Sequence, residues 1–230
     1  MIMSRIDGRK FDELREIEAK VGILKNANGS AYFRLGDSIA IAGVFGPRTV
    51  HPKHMEKAEC AILRTEYRMS PFSTVTRTRP GPGRREREIS LVTREALSSV
   101  LFLEEFPKTA IDVHIEVLQA SASTRCVGIN AASLALADAG IPMRDLIASC
   151  SAGIVNREIV LDIAGKEDTE GEVDLPIAYY PRQKKVTLLQ MDGIATKTEI
   201  KEIIKLAIKG ALKIYEVQKE ALRKKYEEVR

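Results

Sequence analysis

The sequence predicts an α+β fold: mixed sheets, helices packed on one side and a long C-terminal helix. Three observations predict it. Short apolar runs recur between turn dipeptides, as strands do. Three stretches carry apolar residues at helical spacing. No low-complexity linker interrupts the 230 residues, so the expectation is one domain over residues 1–230.

Val21–Leu24, Ala31–Leu35 and Ser38–Phe45 read as strands of an antiparallel meander. Asn26-Ala27-Asn28-Gly29 and Gly36-Asp37 turn between them, and Gly46-Pro47 ends the run. A basic loop follows, His51-Pro52-Lys53-His54, and then a further strand over Ala61–Met69. Ser73–Gly83 has no apolar period and ends in Pro80-Gly81-Pro82-Gly83, a loop. Helical spacing begins near Arg85 and stops before Pro107. Ala110–Leu118 alternates as a strand, which makes His114 a structural residue. A second helix runs through Asn130–Ala137 and ends at Gly140 and Pro142. Strands then follow over Leu146–Ile154, Glu158–Ile163, Ile177–Tyr180 and Lys185–Gln190. Thr196-Lys197-Thr198-Glu199 is a capping box that opens the final helix, whose charged tail, Arg223–Arg230, is expected to fray.

Composition narrows the function classes. No apolar run reaches the roughly 18 residues of a membrane span, and the polar start has no signal-peptide core, so a cytoplasmic protein is expected. Three widely spaced cysteines, Cys60, Cys126 and Cys150, fit buried free thiols and neither a disulfide framework nor a metal knuckle. The net charge is +4, yet Arg48–Arg87 alone holds ten Lys/Arg against four acids, together with two of the three histidines. Opposite stands Glu167–Asp174, with five carboxylates in eight residues, read as a loop between strands. Like charges this dense repel, and a hard divalent cation would relieve them. A solvated acidic turn is the plainer reading of that stretch alone. Basic segment and acidic loop together suit a polyanionic substrate and a metal-assisted reaction. There is no Walker P-loop, no dinucleotide-binding glycine turn and no nucleophile elbow.

Two helix starts can take anions. Strand, Ser123-Thr124-Arg125 and helix form a cradle in which hydroxyls cap, free N–H groups point outward and Arg125 adds charge. A routine cap with a solvated arginine explains the same residues. Arg84-Arg85 offers forked guanidinium groups at the other start. On extended chain the even spacing of Asp168 and Asp174 puts both on one face, subject to a bend at Gly171. His51 and His54 lack a third ligand nearby and suit RNA or surface contacts better than a metal.

Several segments resemble the RNase PH family, and within it the catalytic RNase PH-like subunits of archaeal exosomes. They are Ile6-Asp7-Gly8-Arg9, Met69–Thr74, Arg84-Arg85 before Arg94–Leu97, Leu118-Gln119-Ala120 and above all Ala131–Asp145. The resemblance implies a ribosomal-protein-S5-domain-2-like fold. It implies a hexameric ring of three heterodimers with an inactive RNase PH-like paralogue, capped by RNA-binding subunits. It also implies processive 3′→5′ phosphorolysis of single-stranded RNA: inorganic phosphate, as co-substrate, releases nucleoside diphosphates, and the reverse reaction extends RNA. Arg85, Ser123, Thr124 and Arg125 then match the phosphate cradle. Asp168 and Asp174 match the catalytic aspartates, with Mg²⁺ or Mn²⁺ as the cofactor they would hold. Lys53 and His51 match the basic neck that threads RNA, and Arg84 and Arg68 are further RNA contacts. Ser121 and Ser123 stand where the family usually has Asp and Gly, so a serine side chain faces the question of crowding the anion. A stand-alone homohexameric RNase PH trimming tRNA is the nearest rival. A non-catalytic RNA-binding ring scaffold and a plain single-strand binder are rivals of another class.

Overall fold

Alternation builds the first sheet. In β2 (Gly29–Leu35), Ala31, Phe33 and Leu35 are buried, and in β3 (Ser38–Thr49) so are Ala40, Ala42 and Val44. Their neighbours Tyr32, Arg34, Ile39 and Ile41 face the other, half-exposed side. With β1 (Ile17–Val21), β4 (Ile62–Met69) and β5 (Thr109–Gln119) the strand order is β1-β2-β3-β5-β4. Only β4 and β5 run parallel. The second sheet, β10-β8-β6-β7 with β9 on β8, is antiparallel throughout. Its strands are β6 (Ala148–Val155), β7 (Glu158–Leu161), β8 (Val173–Tyr180), β9 (Lys185–Leu189) and β10 (Asp192–Gly193). The computed structural model describes Arg5 and residues 7–228. Ile6 of the Asp-Gly-Arg segment, and Val229 and Arg230 of the charged tail, lie outside the described residues.

Helix α2 (Thr124–Asp138) sits between the sheets, and 13 of its 15 residues are buried, so it has no solvent face. Gly128 permits this: a Cβ there would meet Ile115 at 3.1 Å and the Tyr67 ring at 3.2 Å. Helix α1 (Arg84–Ser98) packs on β4 and β9. Helix α4 (Lys197–Glu228) covers β6, β7 and β8 and reaches β1. The expected capping box is present: Glu199 Oε2 accepts the Thr196 N–H at 2.7 Å, and Thr196 Oγ1 accepts the Glu199 N–H at 3.3 Å. No helix among the described residues is long and apolar enough to cross a membrane.

A buried polar arrangement closes one sheet edge. β7 pairs with β6 only over Ala152–Val155, so the backbone of Ile147 and Ser149 has no strand partner on that side. The Asn130 side chain takes the place of a strand. Its Oδ1 accepts the Ser149 N–H at 2.8 Å and its Nδ2 donates to the Ser149 carbonyl at 2.9 Å. Ser133 Oγ accepts the Ile147 N–H at 2.9 Å, and Gln218 Nε2 donates to the Ile147 carbonyl at 3.1 Å. Asn130→Leu strands two buried backbone groups, each worth about 1–3 kcal/mol. The expected loss is on the order of 3 kcal/mol, read as a lower urea midpoint; Ser133→Ala should lose less.

Four expectations are corrected. The first strand lies at Ile17–Val21, because Gly22, at φ +72°, ends it and leaves Leu24 42% exposed. The third strand continues past Gly46-Pro47 to Thr49, absorbing the pair as a break in register. His114 is exposed, beside Glu66 at 3.0 Å, because it faces the helix-free side of the sheet. The acidic segment is not extended: Glu167–Glu170 forms the one-turn helix α3. Of the cysteines, Cys126 and Cys150 are buried free thiols, whereas Cys60 is half-buried.

Candidate active site

The residues expected to cradle phosphate lie at two helix starts. Arg84 and Arg85 open α1 after Gly83. Ser123 precedes α2, and both Ala122 and Ser123 are left-handed, at φ 63° and 52°. L residues adopt that conformation at a cost of about 1–2 kcal/mol. Ser123 Oγ does not cap the helix, contrary to expectation. It bonds Ser151 Oγ at 2.8 Å and the Ile163 carbonyl at 2.9 Å. The hydroxyl that threatened to crowd an anion is thus committed to the second sheet and the acidic segment. The first-turn N–H groups of α2 are left without intrahelical partners, as at any helix start. Arg125 Nη2 reaches Glu88 at 3.2 Å, and Glu88 also accepts from Gln190 Nε2 at 2.5 Å.

The carboxylates come from three elements: Asp168 on α3, Asp174 on β8 and Asp192 on β10. Asp192 pairs directly with Asp174 across the antiparallel ladder, so their side chains share a face. On the neighbouring strand Gly153 stands opposite Asp174. A Cβ at Gly153 would fall 1.9 Å from the Val173 carbonyl oxygen, so only glycine fits.

Asp174 is where the two halves meet. Burial, and then the negative charge of Asp168, push its carboxyl up to about 7; Asp192 adds to the rise, while Arg125 and Arg85 oppose it. Burial also pushes the Tyr67 phenol up to about 12, with Thr124, Arg85 and Arg125 close enough to pull the other way. Ten buried side-chain polar atoms among the described residues lack a hydrogen-bond partner, and five cluster here: Tyr67 Oη, Thr124 Oγ1, Arg125 Nε, Asp174 Oδ1 and Gln190 Oε1. Natural proteins rarely leave such atoms unpaired, and a ligand site is one reason they do.

Of the residues expected from sequence, Arg85, Thr124, Arg125, Asp168 and Asp174 converge. Ser123 supports the turn from beneath. Arg84 is exposed at the start of α1 and is not among the groups acting on Asp174. Arg68 lies on the outer face of β4, paired with Glu66. His51 and Lys53 are exposed near the end of β3, in and before a 3-10 turn over Lys53–Met55. Register places that end of β3 opposite the start of β5, whereas the phosphate turn follows the end of β5. Eleven residues of strand separate the two, about 33 Å over ten steps of about 3.3 Å. Sequence reading missed Asp192, Tyr67, Glu88 and Gln190. Tyr67 looks like strand core, and Asp192-Gly193 looks like an ordinary turn.

Two protein-family models match the chain: 3′ exoribonuclease family, domain 1, over residues 13–142, and domain 2, over residues 145–210. The chain belongs to the RNase PH family. It is 60% identical over 222 residues to the exosome complex component Rrp41 of Pyrococcus furiosus, covering 96% of this chain and 89% of that protein. To the component of the same name from Methanopyrus kandleri it is 53% identical, over 96% of this chain and 93% of the relative. The crystal structure of rice Rrp46 superposes with a TM-score of 0.86 at 24% identity, covering 95% of this chain and all of that one, and shows the same fold. The cluster around Asp174 draws on both matched segments: Arg85, Thr124 and Arg125 come from the first, Asp168, Asp174 and Asp192 from the second.

The carboxylates fit a hard divalent cation. Asp174 Oδ1 is buried and unpartnered beside Asp168. No group of three or more His, Cys, Asp or Glu among the described residues is arranged to hold a metal by itself.

Proposed function

We propose that this chain is the catalytic subunit of an archaeal RNA exosome and degrades single-stranded RNA from its 3′ end by phosphorolysis. The observation that carries the reading is the meeting at Asp174 of two arginines from two helix starts with two further carboxylates. Arg85, Arg125 and the α2 N–H groups seat the attacking phosphate and offset its charge beside an anionic chain. Asp168 and Asp174 would hold Mg²⁺ or Mn²⁺, which supplies charge stabilisation at the scissile phosphate and leaving oxygen.

A phosphate oxygen forms a bond to the terminal phosphorus as the bond to the preceding 3′-oxygen breaks. A carboxyl titrating at about 7 is matched to proton transfer at neutral pH. Where Asp174 acts as the acid instead of holding the cation, it gives its proton to the departing 3′-oxygen and recovers one from the attacking hydrogen phosphate. The products are a nucleoside diphosphate and a shortened RNA.

The ring partner is an inactive RNase PH-like paralogue, three heterodimers forming a hexamer under RNA-binding caps, in the cytoplasm. RNA enters past His51 and Lys53 and runs to the site gripped through its phosphates, with no sequence read. The test mixes the chain, with and without its partner, with labelled oligoadenylate, Mg²⁺ and phosphate. ADP release that requires phosphate is expected; AMP release without phosphate would mean hydrolysis and sink the reading. A homohexameric tRNA-trimming enzyme would form its ring from this chain alone.

The separation of about 33 Å between neck and site makes a second expectation. The His51→Ala, Lys53→Ala double variant should slow decay of long RNA about fivefold and lower its salt dependence. Turnover of a tetranucleotide, too short to reach both, should be unchanged. Equal slowing of both substrates would remove the threading role.

A further inference from the structure

We propose that Arg15 is a positioning residue for this reaction, holding the phosphate turn and the acidic segment at a fixed separation. The inference rests on the function proposed above.

The two turns approach each other where both line a cavity of about 360 Å³, Ser121 from one and Gly165 and Lys166 from the other; a Cβ at Gly165 would stand 3.8 Å from Ser121 Oγ. Arg15, just before β1, lines the same cavity and bridges it. Nη1 donates to the Ser121 carbonyl at 2.7 Å, on the phosphate side. Nε and Nη2 form a fork on Asp162, at 2.9 and 2.7 Å, on the acidic side. The Arg15 backbone N–H also donates to Asp162 Oδ2, at 2.9 Å. Asp162 is fully buried and left-handed, at φ 56°, and directly follows β7. Among the described residues Ser123 also joins the two turns, through the Ile163 carbonyl at 2.9 Å.

Arg5 makes the comparison that separates positioning from general support. It donates to the Leu161 and Asp162 carbonyls at 2.7 and 2.8 Å and to Glu167 Oε1 at 2.9 Å. All its contacts are on the acidic side. Arg5 therefore fixes where α3 presents Asp168, while Arg15 fixes how far that turn stands from the phosphate. The separation matters because displacing a bound reactant by about 1 Å costs on the order of 10²-fold in rate.

Arg15→Lys is the informative change. Lysine keeps the charge that Asp162 needs, but a single ammonium cannot make the fork and also span to Ser121. In the assembled ring, kcat/KM for phosphate should fall about 10²-fold, mostly through KM, and the melting temperature should fall by several degrees because the buried fork on Asp162 is lost. Arg5→Lys should lower kcat and leave the phosphate KM within about twofold. An Arg15→Lys ring that is folded, with kcat and phosphate KM both as in the wild type, would overturn the proposal.

A second measurement, on the wild-type ring, needs no variant and no turnover. Adding phosphate should slow amide exchange in residues 163–167 as well as in 121–126. Protection confined to 121–126 would overturn the coupling even if Arg15→Lys failed to fold. A wild-type ring with no phosphate-dependent ADP release would strike the proposed reaction instead, and the exchange result would still decide the coupling.

Discussion

Asp174→Asn should lower phosphate-dependent ADP release at least about 10³-fold and, at the same time, stabilise the protein in alkaline buffer. The amide cannot give up a proton and is a poor ligand for a cation, so the chemistry stops. The stability gain has a separate cause. The carboxyl titrates at about 7 in the folded chain against 3.8 when free, so the folded state binds its proton more tightly. The stability this confers is fully present below pH 3.8 and is lost as pH rises through about 7. At pH 8 the wild type carries a buried charge beside Asp168 and Asp192, and the asparagine variant does not. The expected difference is roughly 4 kcal/mol in favour of the variant at pH 8 in EDTA, and almost none near pH 4. Added Mg²⁺ should narrow the gap by stabilising the wild type alone. Identical melting curves at pH 8 in EDTA would show that Asp174 is not a raised carboxyl.

Arg125→Ala should cost about 10²–10³-fold in kcat/KM for phosphate, and it should also change the pH profile. Arg125 is the strongest of the charges that hold the Asp174 carboxyl down. Without it the carboxyl rises further, so the alkaline limb of the rate profile should move to higher pH. The two effects come from one guanidinium acting in two directions, on a phosphate and on an acid. Loss of phosphate affinity with an unmoved alkaline limb would place Arg125 too far from Asp174 to share its site. Glu88 keeps its contact with Gln190 in the variant, which limits the structural damage.

Much of the site was legible because its residue types are local. Ser123-Thr124-Arg125 follows a strand and opens a helix, and Arg85 opens another; both starts can be read from neighbours in the chain. Asp168 and Asp174 stood out by charge density. The expectation of one face on extended backbone does not hold, because Asp168 sits on a helical turn and Asp174 on a strand, yet the charge of Asp168 still acts on Asp174. Ser123 was expected to cap a helix with its hydroxyl, but a left-handed backbone turns that hydroxyl toward Ser151 and Ile163. Asp192 and Tyr67 were invisible, since an Asp-Gly turn and a strand tyrosine carry no signal of what they will face.

By itself the sequence determined the α+β class, the positions of the helices and most strands, the family and the arginines and carboxylates of the candidate site. Those follow from apolar periodicity, turn chemistry and residue type, which are properties of short stretches of chain. Only the tertiary structure decided that Asp174 is buried, that Asp192 stands across the ladder from it and that Arg15 spans the two turns. A carboxyl near 7 and a strut across a cavity depend on desolvation and on distances between residues more than a hundred positions apart, and no local pattern encodes either.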